Sequence, residues 1–284
     1  MKIFNTPLIF SGQSPGPTIA LVALTHGNEP VGLAIFEKLI QTGILDRIQY
    51  GKILLICSNI RAHELYINQD DPLKHRFIDH DMNRIWNSDF MAWSQEYKRR
   101  EELKLILSEA DIILDIHSVS KGDDVLWIAG NCWLEDAMQF MDVQKILVER
   151  NNTGSMRSYL EKTGKRAYGI EAWNHVSETG LNNGLRIVKN MFHHFGVISS
   201  DKGFQFPIPE KLLFISELKP TVSEFRYARD FQNWEQISKW EIYAYDGENN
   251  PLFHSLEWDI RIGLVQKKIQ FGRGAGFLFQ KIEI

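Results

Sequence analysis

Three apolar runs constrain this chain more than any other feature: TIALVAL ending at Leu24, KILLIC ending at Cys57 and DIILDI ending at Ile116. A strand with one face in water alternates apolar and polar residues, whereas a near-continuous apolar run needs cover on both faces. Between the runs lie segments with helical spacing. EPVGLAIFEKLIQTG is one, with Pro30 suited to a first turn and Gly43 just past the end. DFMAWSQEYKRREELKLILSEA reads as a long helix capped by Ser88 or Asp89. WLEDAMQFMDVQKILVER reads as another, with Met138, Met141, Ile146 and Leu147 on its inner face. DVLWIAG and RAYGIEAW supply two more strands, and GLNNGLRIVKNMFHHFG a further helix. The stretch from Arg61 to Asn87 shows no clear period. This alternation predicts an α/β fold: a mainly parallel or mixed sheet with flanking helices.

The pattern changes near Gly196. GVISSDKGFQFPIPEK reads as a linker, and beyond it come LLFISEL, TVSEFRY, WEIYAYD, SLEWDIRIGLV, KKIQF and GFLFQKIEI, separated by turn signals such as DGENNP and GRGAG. The expected division is a catalytic domain over residues 1–200 and a small β-rich domain over 201–284. A chain of 284 residues, 44% of them hydrophobic, has ample core without a covalent staple. Of the two cysteines, Cys57 reads as a small buried hydrophobe and Cys132 as a loop residue. A net charge of -4 with both signs dispersed disfavours a nucleic-acid partner. No window approaches the ~20 apolar residues that span a bilayer, and the first residues lack the apolar stretch of a signal peptide. The expectation is a soluble, cytoplasmic protein with no membrane partner; a homo-oligomer stays open.

Open α/β sheets place their sites at the carboxyl ends of the strands. The first apolar run leads into Thr25-His26-Gly27-Asn28-Glu29, the third into Asp115-Ile116-His117, and RAYGIEAW carries Glu171. Zinc takes imidazole and carboxylate, and a catalytic site uses three protein ligands plus water. His26 and Glu29, three apart at a strand-to-helix turn, are close enough to share one ion, and His117 could close the triad from another strand. Either histidine alone is more often a hydrogen-bonded structural residue; their joint placement at strand ends is what points to a metal. Glu171 is then the candidate general base. Asp115 lies on the face of its strand that His117 uses and is placed to orient that ring. Arg61, Asn83 and Arg84 follow the second run, and an arginine can clamp a substrate carboxylate. Asp81 reads as a brace for the Asn83-Arg84 loop. FGRGAGF lacks the strand-then-helix setting of a dinucleotide loop and reads as a turn. Trp173, two residues from Glu171, is the tryptophan to watch for a pocket role.

Together HGNEP, the R-A after the second run, D-M-N-R-I-W, D-I-H-S and G-I-E resemble the aspartoacylase and succinylglutamate desuccinylase family, itself similar to the zinc carboxypeptidases. The resemblance spans residues 19 to 195 in motif order. It implies a carboxypeptidase-like α/β domain followed by a β domain, with one zinc per chain on His26, Glu29 and His117. It also implies Glu171 as the catalytic carboxylate and Arg61 as the group polarising the scissile carbonyl. Asn83 and Arg84 would grip the amino-acid carboxylate of a small N-acyl amino acid. SVSKGDD after His117 and AWNH after Glu171 depart from the best-known relatives, and Arg157 and Arg166 compete for an arginine expected upstream of the base. Two other functions share these residues: a metallocarboxypeptidase acting on peptides or peptidoglycan fragments, and a non-catalytic metal-binding protein.

Overall fold

The computed structural model describes residues 3–68, 75–88, 92–119, 127–130, 133–148, 154–175, 177–199, 206–265, 269 and 274–282. They form two compact units. One comprises Met1–Gln144 with Asn151–Pro209, the other Lys145–Arg150 with Glu210–Ile284.

The first unit contains strands β1 (Leu8–Ser11), β2 (Ser14–Ala23), β3 (Tyr50–Cys57), β4 (Ile112–Val119), β5 (Trp127–Gly130) and β7 (Arg166–Asn174); β6 (Lys145–Val148) belongs to the second. Its helices are α1 (Val31–Gln41), α2 (Ile60–Ile67), α3 (Gln95–Ser108), the short α4 (Leu134–Ala137), α5 (Met156–Lys162) and α6 (Glu178–His194). The strands run in the order β1-β3-β2-β4-β7-β5. β3, β2, β4 and β7 are parallel, while β1 and β5 pair antiparallel with β3 and β7. This is the α/β sheet the apolar runs demand. On one face Leu103 and Leu107 of α3 and Met156 and Leu160 of α5 pack with Val22, Ile56 and Ile113. On the other, α1 meets α6 so closely that a Cβ on Gly184 would lie 2.2 Å from Ile35 Cδ1. Register brings the strand ends level: Ala23 pairs with Cys57, Val22 with Asp115 and His117 with Glu171.

The second unit holds β6, β8 (Glu210–Leu218), β9 (Phe225–Tyr227), β10 (Glu235–Ile237), β11 (Ile242–Asp246), β12 (Pro251–Phe253), β13 (Ile260–Gly263) and β14 (Gly276–Ile282). β6 runs parallel to β8, and β14, β13 and β10 continue antiparallel; β12-β11-β9 is a separate sheet. Phe225, Phe231, Ile237, Tyr243, Ile260, Ile262 and Leu278 fill its core.

Three local expectations give way. Helix α3 starts at Gln95, not after Ser88 or Asp89, because the Ser94 hydroxyl accepts from the Tyr97 amide at 3.1 Å and caps it there. Asp89 itself lies outside the described residues. The stretch after Arg61 is not irregular throughout: α2 opens it, with Asn59 Oδ1 accepting from the Ala62 amide. The helix expected over WLEDAMQFMDVQKILVER is confined to Leu134–Ala137, and Lys145–Val148 is a strand. Ile146 and Leu147 point to opposite faces of that strand and both are buried, so pairing with β8 overrides a weak helical pattern. The strand expected over DVLWIAG is described from Trp127 on; Cys132, most of KKIQF and the Trp173 side chain lie outside the described residues. Cys57 is a buried free thiol. Among the described residues no helix is long and apolar enough to cross a membrane.

Candidate functional site

The site begins where β2 stops. Leu24, fully buried, takes a left-handed φ of +62°, which breaks the strand and turns the chain through Thr25–Glu29 into α1. Such a conformation in a branched residue costs about 1–3 kcal/mol and persists only where surroundings impose it. Here the Asn59 amide donates to Leu24 O at 2.8 Å. Gly27 is held between two neighbours. A Cβ there would lie 2.5 Å from Ala62 C and 2.6 Å from His75 O. Its amide donates to Arg76 O at 2.9 Å, and its carbonyl accepts from His63 Nδ1 at 2.6 Å.

This turn and β4 bring His26, Glu29 and His117 together, all buried, with ligand-capable atoms within 4.8 Å of one another. His26 Nδ1 lies 2.8 Å from Glu29 Oε1, and His117 Nδ1 lies 3.0 Å from Glu29 Oε2. Each ring turns its other nitrogen to an aspartate: His26 Nε2 to Asp81 Oδ1 at 3.1 Å, His117 Nε2 to Asp115 Oδ2 at 2.7 Å. The Thr25 hydroxyl fixes Asp115 through Oδ1 at 2.7 Å, and the Ser118 amide donates to Glu29 Oε2 at 3.2 Å. Carboxylates behind both imidazoles are the arrangement that fixes tautomer and orientation in metal-binding histidines. The donor set of two imidazoles and one carboxylate suits a zinc-type ion.

The charges agree. Burial by itself would raise the Glu29 carboxyl, but His26, Arg76 and His117 hold it well below the usual range. Burial would lower His117, yet Asp115 and Glu29 lift it well above an ordinary histidine. Asp81, against burial, is held far down by His26, Arg76 and Arg84. A proton on His117 thus answers a field of carboxylates, and a divalent cation at the Nδ1 atoms would answer the same field. Glu171, opposite His117 in the register, behaves differently. Burial, then repulsion from Glu29, pushes it up to about 8, and its buried Oε2 has no hydrogen-bond partner among the described residues.

Other expected residues are dispersed. Asn83 builds the loop: its amide donates to Asp81 Oδ1 at 2.8 Å and its Oδ1 accepts from the Met156 amide at 3.1 Å. Arg84 is exposed, with Nη1 on Asn83 O at 2.9 Å. Arg61 lies on the outer face of α2, 61% exposed and paired with Glu64 at 3.0 Å. Arg157 is buried, paired with Glu161, and reaches toward Gly169, two residues before Glu171. Arg166 stands at the opposite end of β7, its guanidinium over the Trp133 and Phe195 rings.

Sequence reasoning passed over three side chains. Arg76 donates from Nη1 to Glu29 Oε1 at 2.7 Å, and its Nη2 lies 2.8 Å from His26 Nε2. Its only sequence signal was its place five residues before Asp81. The His26 Nε2 atom serves either partner: it accepts from Arg76 or donates to Asp81. Glu96 sits fully buried behind the same loop. His175 Nδ1 lies 2.8 Å from the Ser118 hydroxyl, beside the cluster, in the AWNH departure.

A family model described as the succinylglutamate desuccinylase/aspartoacylase catalytic domain matches residues 15–194. Among solved structures, the succinylglutamate desuccinylase of Vibrio parahaemolyticus superposes with a TM-score of 0.72 at 14% identity, over 95% of this chain and 82% of that one. A product-bound structure of the ectoine utilization protein EutE (DoeB) from Ruegeria pomeroyi gives 0.73 at 16% identity, over 95% and 87%. A succinylglutamate desuccinylase/aspartoacylase from Rhodobacter sphaeroides gives 0.70 at 18% identity, over 95% and 88%. At these identities the likeness is one of fold. No curated protein matches in sequence.

Proposed function

Because the chain belongs to the succinylglutamate desuccinylase/aspartoacylase family, we propose that it is a zinc-dependent amidohydrolase that deacylates an N-acyl amino acid. The observation carrying this reading is the buried His26-Glu29-His117 cluster with an aspartate behind each ring and, on the neighbouring strand, Glu171, whose Oε2 has no hydrogen-bond partner among the described residues. In this reading residues 1–200 form the catalytic domain, apart from the strand Lys145–Val148, and 201–284 the β-rich domain.

His26, Glu29 and His117 would hold one zinc, which when bound would supply Lewis-acid chemistry toward a water and the acyl carbonyl. Asp115 keeps His117 in the tautomer whose Nδ1 lone pair is free. Asp81 does the same for His26, and with Nε2 donating to Asp81 the Arg76 guanidinium is released from His26. Arg76 then takes the role expected of Arg61: it donates to the oxygen that gains negative charge as the carbonyl carbon becomes tetrahedral. Glu171, with no partner at Oε2 among the described residues and ionised once a cation offsets the Glu29 charge that helps raise it, takes the proton of the attacking water and passes it to the departing amine. The Asn83-Arg84 loop holds the carboxylate of the leaving amino acid, and Arg157, on Glu171's side of β7, fits the upstream arginine role better than Arg166.

The test is a hydrolysis screen of N-acetyl and N-succinyl amino acids on zinc-loaded protein, with Glu171→Gln as control. Amine release that Glu171→Gln abolishes while zinc stays bound supports the reading. Release of a C-terminal residue from peptides, with no cleavage of N-acyl amino acids, would favour a carboxypeptidase. Folded protein that takes up no zinc would sink the metal assignment.

A further inference from the structure

The segment that brings Arg76 and Asp81 to the cluster has no regular structure between them, yet its backbone is held at three successive positions by one buried side chain. Glu96, in the first turn of α3, is 1% exposed. Its Oε1 accepts from the Ile78 amide at 2.7 Å, and its Oε2 accepts from the amides of Asp79 and His80 at 3.1 and 3.3 Å. Asn59 Nδ2, at the exit of β3, donates to Oε1 at 3.1 Å. Consecutive backbone amides converging on a carboxylate make an anion nest, here filled by the protein's own side chain. The clasp is reciprocal, since Asp79 Oδ2 accepts from the Gln95 amide at 2.8 Å.

The placement matters because the clasped tripeptide is flanked by the two contacts to His26. Arg76 lies two residues before it and Asp81 one residue after. A carboxylate taken out of water is costly unless its acceptor sites are filled, and four donors fill these. A loop secured only by an exposed surface would leave Arg76 and Asp81 to their own flexibility; metal sites lose affinity when the groups orienting their ligands are free to wander. We propose that Glu96 is a positioning residue for the metal centre, acting through the 78–80 backbone to set Asp81 and Arg76 against His26. The proposal rests on the zinc reading above for its metal arm and on the geometry alone for its clasp.

Amide hydrogen exchange and zinc affinity test it together. In the unaltered, metal-free protein the Ile78, Asp79 and His80 amides should be protected, though they belong to no helix or strand; free exchange at these positions would overturn the proposal. Glu96→Gln replaces an acceptor oxygen by an amide group facing two donors. It should release those amides and weaken zinc binding roughly tenfold, read by competition with a chromophoric chelator. Asp81→Asn should weaken it similarly, and adding Glu96→Gln to Asp81→Asn should cost much less than its effect alone, because both act along one line. Glu96→Asp, which keeps the charge but shortens the reach, should fall between parent and Glu96→Gln. A merely structural Glu96 would lower thermal stability while leaving zinc affinity below the melting transition unchanged, or would multiply in full with Asp81→Asn. If the unaltered protein binds no zinc, the functional reading fails; the exchange arm then still decides whether Glu96 holds the loop, and unprotected amides would overturn the clasp.

Discussion

Replacing Arg76 by alanine separates the roles of two arginines. In the structure Arg76 places Nη1 2.7 Å from Glu29 and Nε 3.6 Å from Asp81, beside the buried His26-Glu29-His117 cluster, at 39% exposure. Arg61 pairs with Glu64, across one helical turn, with both side chains exposed. Removing one donor to a developing oxyanion costs about 10²–10³ in kcat, or about 2.7–4 kcal/mol of barrier. An exposed pair three residues apart is worth at most about 0.5 kcal/mol, about a twofold effect even if all of it reached the transition state. Arg76→Ala should therefore lose at least about a hundredfold in kcat on the best N-acyl amino acid found, with KM changing less. Arg61→Ala should stay within about twofold of the parent. Arg76→Lys should recover little, since an ammonium cannot reproduce the fork that reaches two groups at once. The assay is initial-rate amine release on zinc-loaded proteins of matched metal content, with urea melts to show that all variants fold. A hundredfold loss in Arg61→Ala with near-parent activity in Arg76→Ala would refute the assignment and restore Arg61 to the site.

The remaining predictions concern the supports of the proposed metal ligands and the proposed base. Asp115→Asn removes the carboxylate behind His117 and disturbs the Thr25 contact, so zinc affinity measured by chelator competition should fall about 10–100-fold; unchanged affinity would mean Asp115 does not orient His117. Glu171 is raised to about 8 in the folded, metal-free protein against an ordinary carboxyl in the unfolded chain. Its folded form therefore binds the extra proton, and this contribution to stability is present at low pH and lost as pH rises toward 8. Glu171→Gln should flatten the fall in stability of metal-free protein between about pH 4.5 and 8 in urea melts; parallel pH curves would sink the argument. Gly27→Ala puts a methyl group 2.5 Å from Ala62 C and 2.6 Å from His75 O. Overpacking of this kind costs about 1–3 kcal/mol, and the strain falls on the backbone that carries His26 and Arg76, so melts and kcat should both drop, whereas a variant as stable and active as the parent would show that the turn yields freely.

The sequence by itself determined the sheet and the candidate metal cluster. Runs such as TIALVAL and DIILDI can be satisfied only between two layers of cover, and that places the residues at their ends on one edge of a parallel sheet. His26, Glu29 and His117 were legible because each sits within a few residues of such an end, where local chain position almost fixes location in space. Asp115 was legible by the two-residue period of its strand. Tertiary structure alone decided the rest. Arg61 follows β3 as closely as a site residue should, but α2 begins at Ile60 and turns it outward. Arg76 comes from a loop with no period, and contacts such as those with Gly27 and Glu96 carry that loop back to the cluster. Lys145–Val148 became a strand because β8, far along the chain, offered it a partner. Periodicity reports what an element buries; it holds no record of which distant backbone a loop or a short run will meet, and that meeting chose the arginine beside the His26-Glu29-His117 cluster.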